Sequence, residues 1–201
     1  HDQLLHYMAF GFTSPGRSLF KDIVEVSPAT ILTWRQGTIS EHRYYSPIVE
    51  PDPQLSDEKI AIEAVRNTLE NSVKRTTVAD VPVGTFLSGG IDSAAVTAMM
   101  QKGSPNKVKT FTVAFGDPIF DESKIAREVA NHLGTDHTEI NSDDLEFSNG
   151  LVDSIVRHVG QPLADSSAIP TLLVSRAARN DVKVCLTGDG GDEMFGGDRN
   201  Y

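Results

Sequence analysis

A single cysteine, Cys185, stands in the 201 residues, so no internal disulfide can form, which fits a reducing cytoplasm. No apolar run approaches the ~18 residues that a membrane-spanning helix needs. Residues 1–20 do not show the basic-then-apolar order of a secretory leader. Lysine and arginine total 18 against 28 acids, a net charge of −10, and they form no basic block. That balance argues against a nucleic-acid surface. The six histidines show no zinc spacing. There is no internal repeat and no low-complexity tract. What is present is a chain 39% hydrophobic, long enough to bury a sizeable core and sized for one main domain plus an appendage.

Residues 1–47 differ in pattern from the rest. Leu4–Met8 reads as a short helix, and Thr30–Trp34 with Gly37–Ser40 as a hairpin whose Trp34 is expected in the core of that piece. The proline-rich stretch 48–56 reads as a linker. From residue 57 strands and helices alternate. A helix runs to Arg75, with Ser56 as its expected N-cap and Ala61, Val65, Leu69 and Val73 as its buried stripe. Strands are expected at 83–87, 109–115, 137–140 and 182–187, and helices at 92–102, 121–133, 143–159 and 168–180. Repeated β–α units predict an α/β fold, a parallel sheet with helices on both faces. Ligands of such sheets sit at the carboxyl ends of the strands.

Two loops at such ends carry chemistry. The strand Val83–Leu87 runs into Ser88-Gly89-Gly90-Ile91-Asp92-Ser93, which opens a helix. Adjacent glycines let main-chain N–H groups approach a phosphate, and the helix aims its N–H groups at the same point. Ser88 and Ser93 add hydroxyls. No lysine follows the glycines, which excludes the Gly-x-x-x-x-Gly-Lys-Ser/Thr loop of the common NTPases. An ordinary strand–turn–helix junction is the plainer reading, and six residues in one setting outweigh it.

The second loop, Thr187-Gly188-Asp189-Gly190-Gly191-Asp192-Glu193, follows the strand that contains Cys185. Acids so close together resist full ionisation unless a cation shares them. Magnesium takes oxygen ligands and keeps phosphates as partners, so Asp92 and Asp192 are candidates to hold Mg²⁺ against a pyrophosphate. A solvated acidic turn or a Ca²⁺ loop is the alternative; the EF-hand order of acids is not met. Cys185 itself reads as a small buried apolar residue.

The first loop resembles that of the ATP pyrophosphatase (PP-loop) superfamily. Together with the second loop, Phe195-Gly196-Gly197, Val113-Ala114-Phe115-Gly116 and Glu128–Gly134, it is similar to the synthetase domain of the glutamine-hydrolysing asparagine synthetases. The resemblance implies an adenine nucleotide alpha hydrolase-like fold over 57–201, truncated. Residues 1–47 would be the α+β tail of a glutaminase domain, and 48–56 the linker. It implies a nucleotide lined by Phe86, Val113, Thr187 and Gly188, and a pyrophosphate held by Ser88, Gly89, Gly90 and Ser93. Mg²⁺ would sit on Asp92 and Asp192, and Asp189 would be the catalytic carboxylate that takes a proton from ammonia. The implied reaction adenylylates a carboxylate with ATP, releases pyrophosphate, and then delivers ammonia from glutamine to give an amide. Aspartate or another carboxylate is the acceptor, in the cytoplasm, with no nucleic-acid or membrane partner; a homodimer is among the assemblies the resemblance allows.

The pattern departs from the family in two ways. The family's glutaminase uses an N-terminal cysteine as nucleophile, whereas the first residue here is His1 and Cys185 lies far along the chain, and the sequence ends before the family's later helices and lysine. The chain therefore reads as a piece of a longer protein, itself inactive. Residues 161–175 carry no cation to meet a second acceptor carboxylate, and Asp165, Ser166 and Ser167 are acceptor contacts or a helix cap. Other amidotransferases or cyclases of the family, other PP-loop synthetases, and a non-catalytic nucleotide-binding module are the alternatives.

Overall fold

The computed structural model describes residues 2–47, 50–117, 121–142 and 150–197. Contacts divide the chain into two units, His1–Pro53 with Gly150–Ala168 and Gln54–Asn149 with Ile169–Tyr201.

In the first unit α1 (Asp2–Phe10) stops at Gly11, whose φ of 80° carries the chain out of the helix. The strands β1 (Thr30–Arg35) and β2 (Thr38–Arg43) form an antiparallel hairpin. Its turn residues Gln36 and Gly37 both have positive φ, the geometry that matches strand twist. Trp34 pairs with Ile39 but is exposed, contrary to the expectation that it is core. A two-stranded ribbon has no second layer of its own to cover either face.

In the second unit a 3₁₀ turn at Pro53–Ser56 precedes α2 (Glu58–Thr76). Asp57 caps it, accepting from the amides of Lys59 and Ile60 at 2.9 and 3.2 Å, so the N-cap lies one residue beyond the expected Ser56. Val73 of the expected stripe is buried and Leu69 packs against the same cluster, whereas Val65 is exposed. Only the later turns of α2 therefore meet the core. Then follow β3 (Val83–Phe86), α3 (Ile91–Gly103), β4 (Lys109–Ala114), α4 (Ser123–Leu133) and β5 (Asp136–Asn141). After them come α5 (Gly150–Val159, in the first unit), α6 (Ala168–Ala178), β6 (Val184–Leu186) and α7 (Gly191–Phe195). The first half of the helix expected at 143–159 lies outside the described residues.

The four strands of the second unit pair in parallel in the order β5-β4-β3-β6. Side chains alternate across the sheet, and each face has its own helical layer. Phe86, Phe111, Val113 and Cys185 pack with Val174 and Ala178 of α6. On the other face Val83 and Leu186 pack with Val73 of α2 and Met100 of α3. Leu87 joins Ala126 and Ala130 of α4 nearby. The α/β class with helices on both faces is thus realised. From β3 the chain walks to β4 and β5, then returns to β6 on the opposite side of β3. The reversal falls between β3 and β6, and open parallel sheets receive their ligands at the carboxyl ends of the strands where the order reverses.

One buried polar contact ties α3 to this sheet. Thr85 and Thr97 are fully buried and their hydroxyls lie 2.7 Å apart, while Thr97 donates to the Ser93 carbonyl at 2.7 Å. A Thr97→Val variant leaves the Thr85 hydroxyl without that partner. It is expected to lose about 1–3 kcal/mol of stability in urea unfolding.

At the far edge His137 of β5 bonds Thr110 through Nδ1 at 2.8 Å, and its buried Nε2 has no hydrogen-bond partner. Burial pushes this imidazole below its ordinary 6.5; the Glu139 carboxylate opposes that and the Arg127 guanidinium adds to it. A histidine with a depressed folded pKa binds protons more readily when unfolded. Its contribution is therefore complete above pH 6.5 and is lost as pH falls through the folded value. Glu139, held below its usual range by bonds from Arg127, acts in the same direction at lower pH. The thermal midpoint is expected to be lower at pH 5.5 than at pH 7.5, and His137→Asn should flatten the upper part of that fall.

Candidate active site

Both glycine-bearing loops leave the sheet at the carboxyl ends of the neighbouring strands β3 and β6. After β3 the chain passes Leu87, whose amide and carbonyl are tied to β4 by bonds to the Phe111 carbonyl and the Thr112 hydroxyl. Ser88–Gly90 then turn into α3. The turn is braced by its own hydroxyls: Ser88 Oγ lies 2.8 Å from Ser93 Oγ, and the Ser88 amide donates to Ser93 Oγ at 3.1 Å. The Gly90 amide donates to Ser88 Oγ at 3.1 Å. Ser93 is buried beneath the loop and donates to the Gly90 carbonyl. Gly90 is the N-cap of α3 and supplies no side-chain acceptor to its first turn. A helix start left uncapped, under a loop with no Cβ at two successive positions, suits an anion.

The second loop closes on the first. A Cβ placed on Gly188 would lie 2.6 Å from the Ser93 amide nitrogen and 3.0 Å from the Asp92 carbonyl carbon. One placed on Gly191 would lie 2.5 Å from the Asp92 Cγ. The Asp92 carboxylate therefore packs against the first residue of α7, immediately before Asp192. Two stretches about a hundred residues apart in sequence meet here because β3 and β6 are hydrogen-bonded neighbours, Thr85 opposite Leu186.

The remaining expected site residues fall as follows. Phe86 and Val113 lie half-buried on one sheet face, in the cluster with α6. Thr187 follows β6 directly, and its hydroxyl accepts the Asp189 amide at 3.4 Å. Asp189 is exposed on the loop. The Asp192 carboxylate lies against Gly197, where a Cβ would meet Oδ1 at 2.0 Å. The structure thus brings Asp92 to the second loop and leaves Asp192 turned toward its own helix end. Asp165 accepts the Ser167 amide at 2.8 Å, a turn ahead of α6.

Asp121 and Glu122 stand at the start of α4, where acids complement the helix dipole. Asp121 accepts from the Phe115 amide at 3.2 Å and from the Ser123 amide and hydroxyl at 3.1 and 3.0 Å. Those bonds, the Ser123 hydroxyl first, hold its carboxyl below the ordinary carboxylate range. Glu122 reaches the first loop itself: its Oε2 accepts the Gly89 amide at 3.0 Å. The acid pair placed after β4 was the available signal, but the reach of Glu122 depends on where α4 packs.

A polyphosphate fits this arrangement, since the glycines let two loops and a helix start approach one point, and the uncapped start of α3 presents main-chain donors there. Among the described residues no group of three or more His, Cys, Asp or Glu side chains is placed to hold a metal. A magnesium ion here would complete its shell with phosphate oxygens and water, as it does when bound by one or two carboxylates. Cys185, half-buried behind the site, has its thiol pushed up to about 11 by burial. It is expected to react with a disulfide reagent at neutral pH far more slowly than a free cysteine, because the thiolate is the nucleophile.

Residues 64–201 match the Asparagine synthase family, and the chain belongs to that family. It is 36% identical over 201 residues to asparagine synthetase [glutamine-hydrolyzing] 1 of Bacillus subtilis, covering all of this chain and 31% of that protein. It is 32% identical over 184 residues to asparagine synthetase B [glutamine-hydrolyzing] of Escherichia coli, covering 85% of this chain and 33% of that protein. The chain thus spans about a third of the length of these curated relatives. Among solved structures, an NH3-dependent NAD synthetase from Campylobacter jejuni aligns with a TM-score of 0.46 at 12% identity, over 67% of this chain and 59% of that one. Among the described residues no helix is long and apolar enough to cross a membrane.

Proposed function

We propose that the chain forms the nucleotide-activating part of an ATP-dependent amide-forming ligase, with aspartate as the acceptor and ammonia drawn from glutamine. The observation that carries this is the meeting of the two loops, Gly188 on the Ser93 amide and Gly191 on the Asp92 carboxylate, at the point where strand order reverses. Family membership supports the choice of a carboxylate-activating ligase, and the names of the relatives support aspartate.

In this reading the base lies over Phe86 and Val113, beside Thr187 and Gly188. Gly89 and Gly90 hold the β- and γ-phosphates by amides that exchange Glu122 and Ser88 Oγ for phosphate oxygens, Ser88 adds its hydroxyl, and Ser93 keeps that turn in shape from beneath. The acceptor carboxylate attacks the α-phosphorus, an acyl-adenylate forms and pyrophosphate leaves. Ammonia then attacks the acyl carbon, AMP departs, and Asp189 takes the proton from nitrogen. Asp92 and Asp192 would hold Mg²⁺, which supplies charge neutralisation on the polyphosphate when bound. No protein nucleophile is required; positioning and charge stabilisation carry the chemistry. The setting proposed is the cytoplasm.

Isothermal titration with Mg·ATP tests this reading. Saturable binding to the wild type that disappears in Asp92→Ala is the expected result. Equal binding by both proteins would remove Asp92 from the site and with it the assignment.

A further inference from the structure

We infer that the Glu122 carboxylate is an internal stand-in for a phosphate oxygen: it occupies the first loop in the ligand-free protein and withdraws when a polyphosphate arrives. The inference rests on the reading of residues 88–93 as a phosphate cradle. Glu122 Oε2 accepts the Gly89 amide at 3.0 Å across 33 residues of chain. The side chain also lies along the loop, since a Cβ on Gly89 would stand 3.1 Å from the Glu122 Cβ and 3.5 Å from its Cδ.

Glu122 is the N-cap residue of α4, yet it makes no side-chain cap bond to its own helix. An acid at this position ordinarily serves the amides of the helix it opens. Here Asp121 takes that duty through the Ser123 amide, and at the same time it ties back to the Phe115 amide. The backbone on which Glu122 stands is thereby fixed, and its carboxylate is directed at the neighbouring loop. The acceptor it places there has the charge and the oxygen geometry of one phosphate oxygen.

Two anions cannot share one amide donor, so carboxylate and phosphate compete. The carboxylate is exposed and joined to the backbone by a flexible stem, so it can leave into solvent at modest cost. A pyrophosphoryl group also reaches the uncapped amides at the start of α3 and can displace it; a singly charged anion gains fewer donors. The contact therefore favours polyphosphates over small anions, and the returning carboxylate helps release pyrophosphate. Glu122 is in this sense a positioning and selectivity residue.

The test is calorimetric titration of the protein with inorganic pyrophosphate in EDTA, wild type against Glu122→Gln and Glu122→Ala, with the Gly89 amide followed by ¹⁵N NMR. Glu122→Ala is expected to bind pyrophosphate about five- to tenfold more tightly than wild type, with Glu122→Gln between them because it keeps an acceptor and loses the charge. The Gly89 resonance should move in Glu122→Ala without ligand, and again on adding pyrophosphate to the wild type. Equal affinity in all three proteins, or weaker binding in Glu122→Ala, overturns the role of Glu122 and leaves the cradle standing. Failure of all three to bind, with a Gly89 resonance indifferent to pyrophosphate, overturns the cradle reading and this inference together.

Discussion

Replacing Gly188 by alanine is expected to abolish Mg·ATP binding while the sheet stays folded. The added methyl would sit 2.6 Å from a main-chain nitrogen, Ser93 N, and 3.0 Å from the carbonyl carbon of Asp92. Neither atom belongs to a flexible side chain, so no rotamer change relieves the contact. Either the second loop retreats or the start of α3 shifts, and both separate the groups that are to meet on the phosphates. The cores formed by Val73, Met100 and Leu186 and by Phe111 and Val174 do not include residue 188, so most of the stability should survive. Calorimetric titration beside a urea unfolding curve checks both halves. Wild-type affinity in a folded Gly188→Ala variant would show that the close approach has no bearing on the nucleotide.

The second large effect concerns the acids. In a ligase assay of the intact protein with ATP, aspartate and ammonia, Asp92→Ala and Asp192→Asn are each expected to lower pyrophosphate release by about a hundredfold or more. Asp92 has a fixed place, pressed on Gly191, so its removal leaves a gap between the loops as well as a missing charge. Asp192 rests on Gly197 and must turn toward the phosphates, so the isosteric Asp192→Asn isolates charge from shape. Unchanged release in Asp192→Asn would remove that residue from the metal site and leave Asp92 as the sole candidate.

Much of this site was legible in the sequence because its parts are local. A strand, two glycines and a helix start, with hydroxyls at 88 and 93, specify a loop whatever surrounds it. The same holds for Gly188–Asp192 after the apolar run at 182–186. Their apposition was an inference from topology, and it required β3 and β6 to be neighbours, which the order β5-β4-β3-β6 supplies. Features that depend on what a neighbouring element covers were not legible. Val65 has the right spacing for the buried stripe of α2, yet lies beyond the reach of the core. Trp34 has the composition of a core residue and stands on an open ribbon. Glu122 is by its position a helix-start acid, and only the packing of α4 beside the first loop turns its carboxylate onto Gly89. The cap of α2 fell on Asp57 because its carboxylate reaches two first-turn amides at once.

The proposed ligase needs its two loops to converge on one magnesium-bound triphosphate. The most direct test of that convergence is a crystal structure of the protein with Mn²⁺ and an ATP analogue that resists α,β-cleavage, with the metal located by anomalous scattering. A peak is expected between the carboxylates of Asp92 and Asp192, with phosphate oxygens in its shell and the Gly89 amide on the polyphosphate instead of on Glu122. A nucleotide bound elsewhere, or a metal that touches neither aspartate, would contradict it.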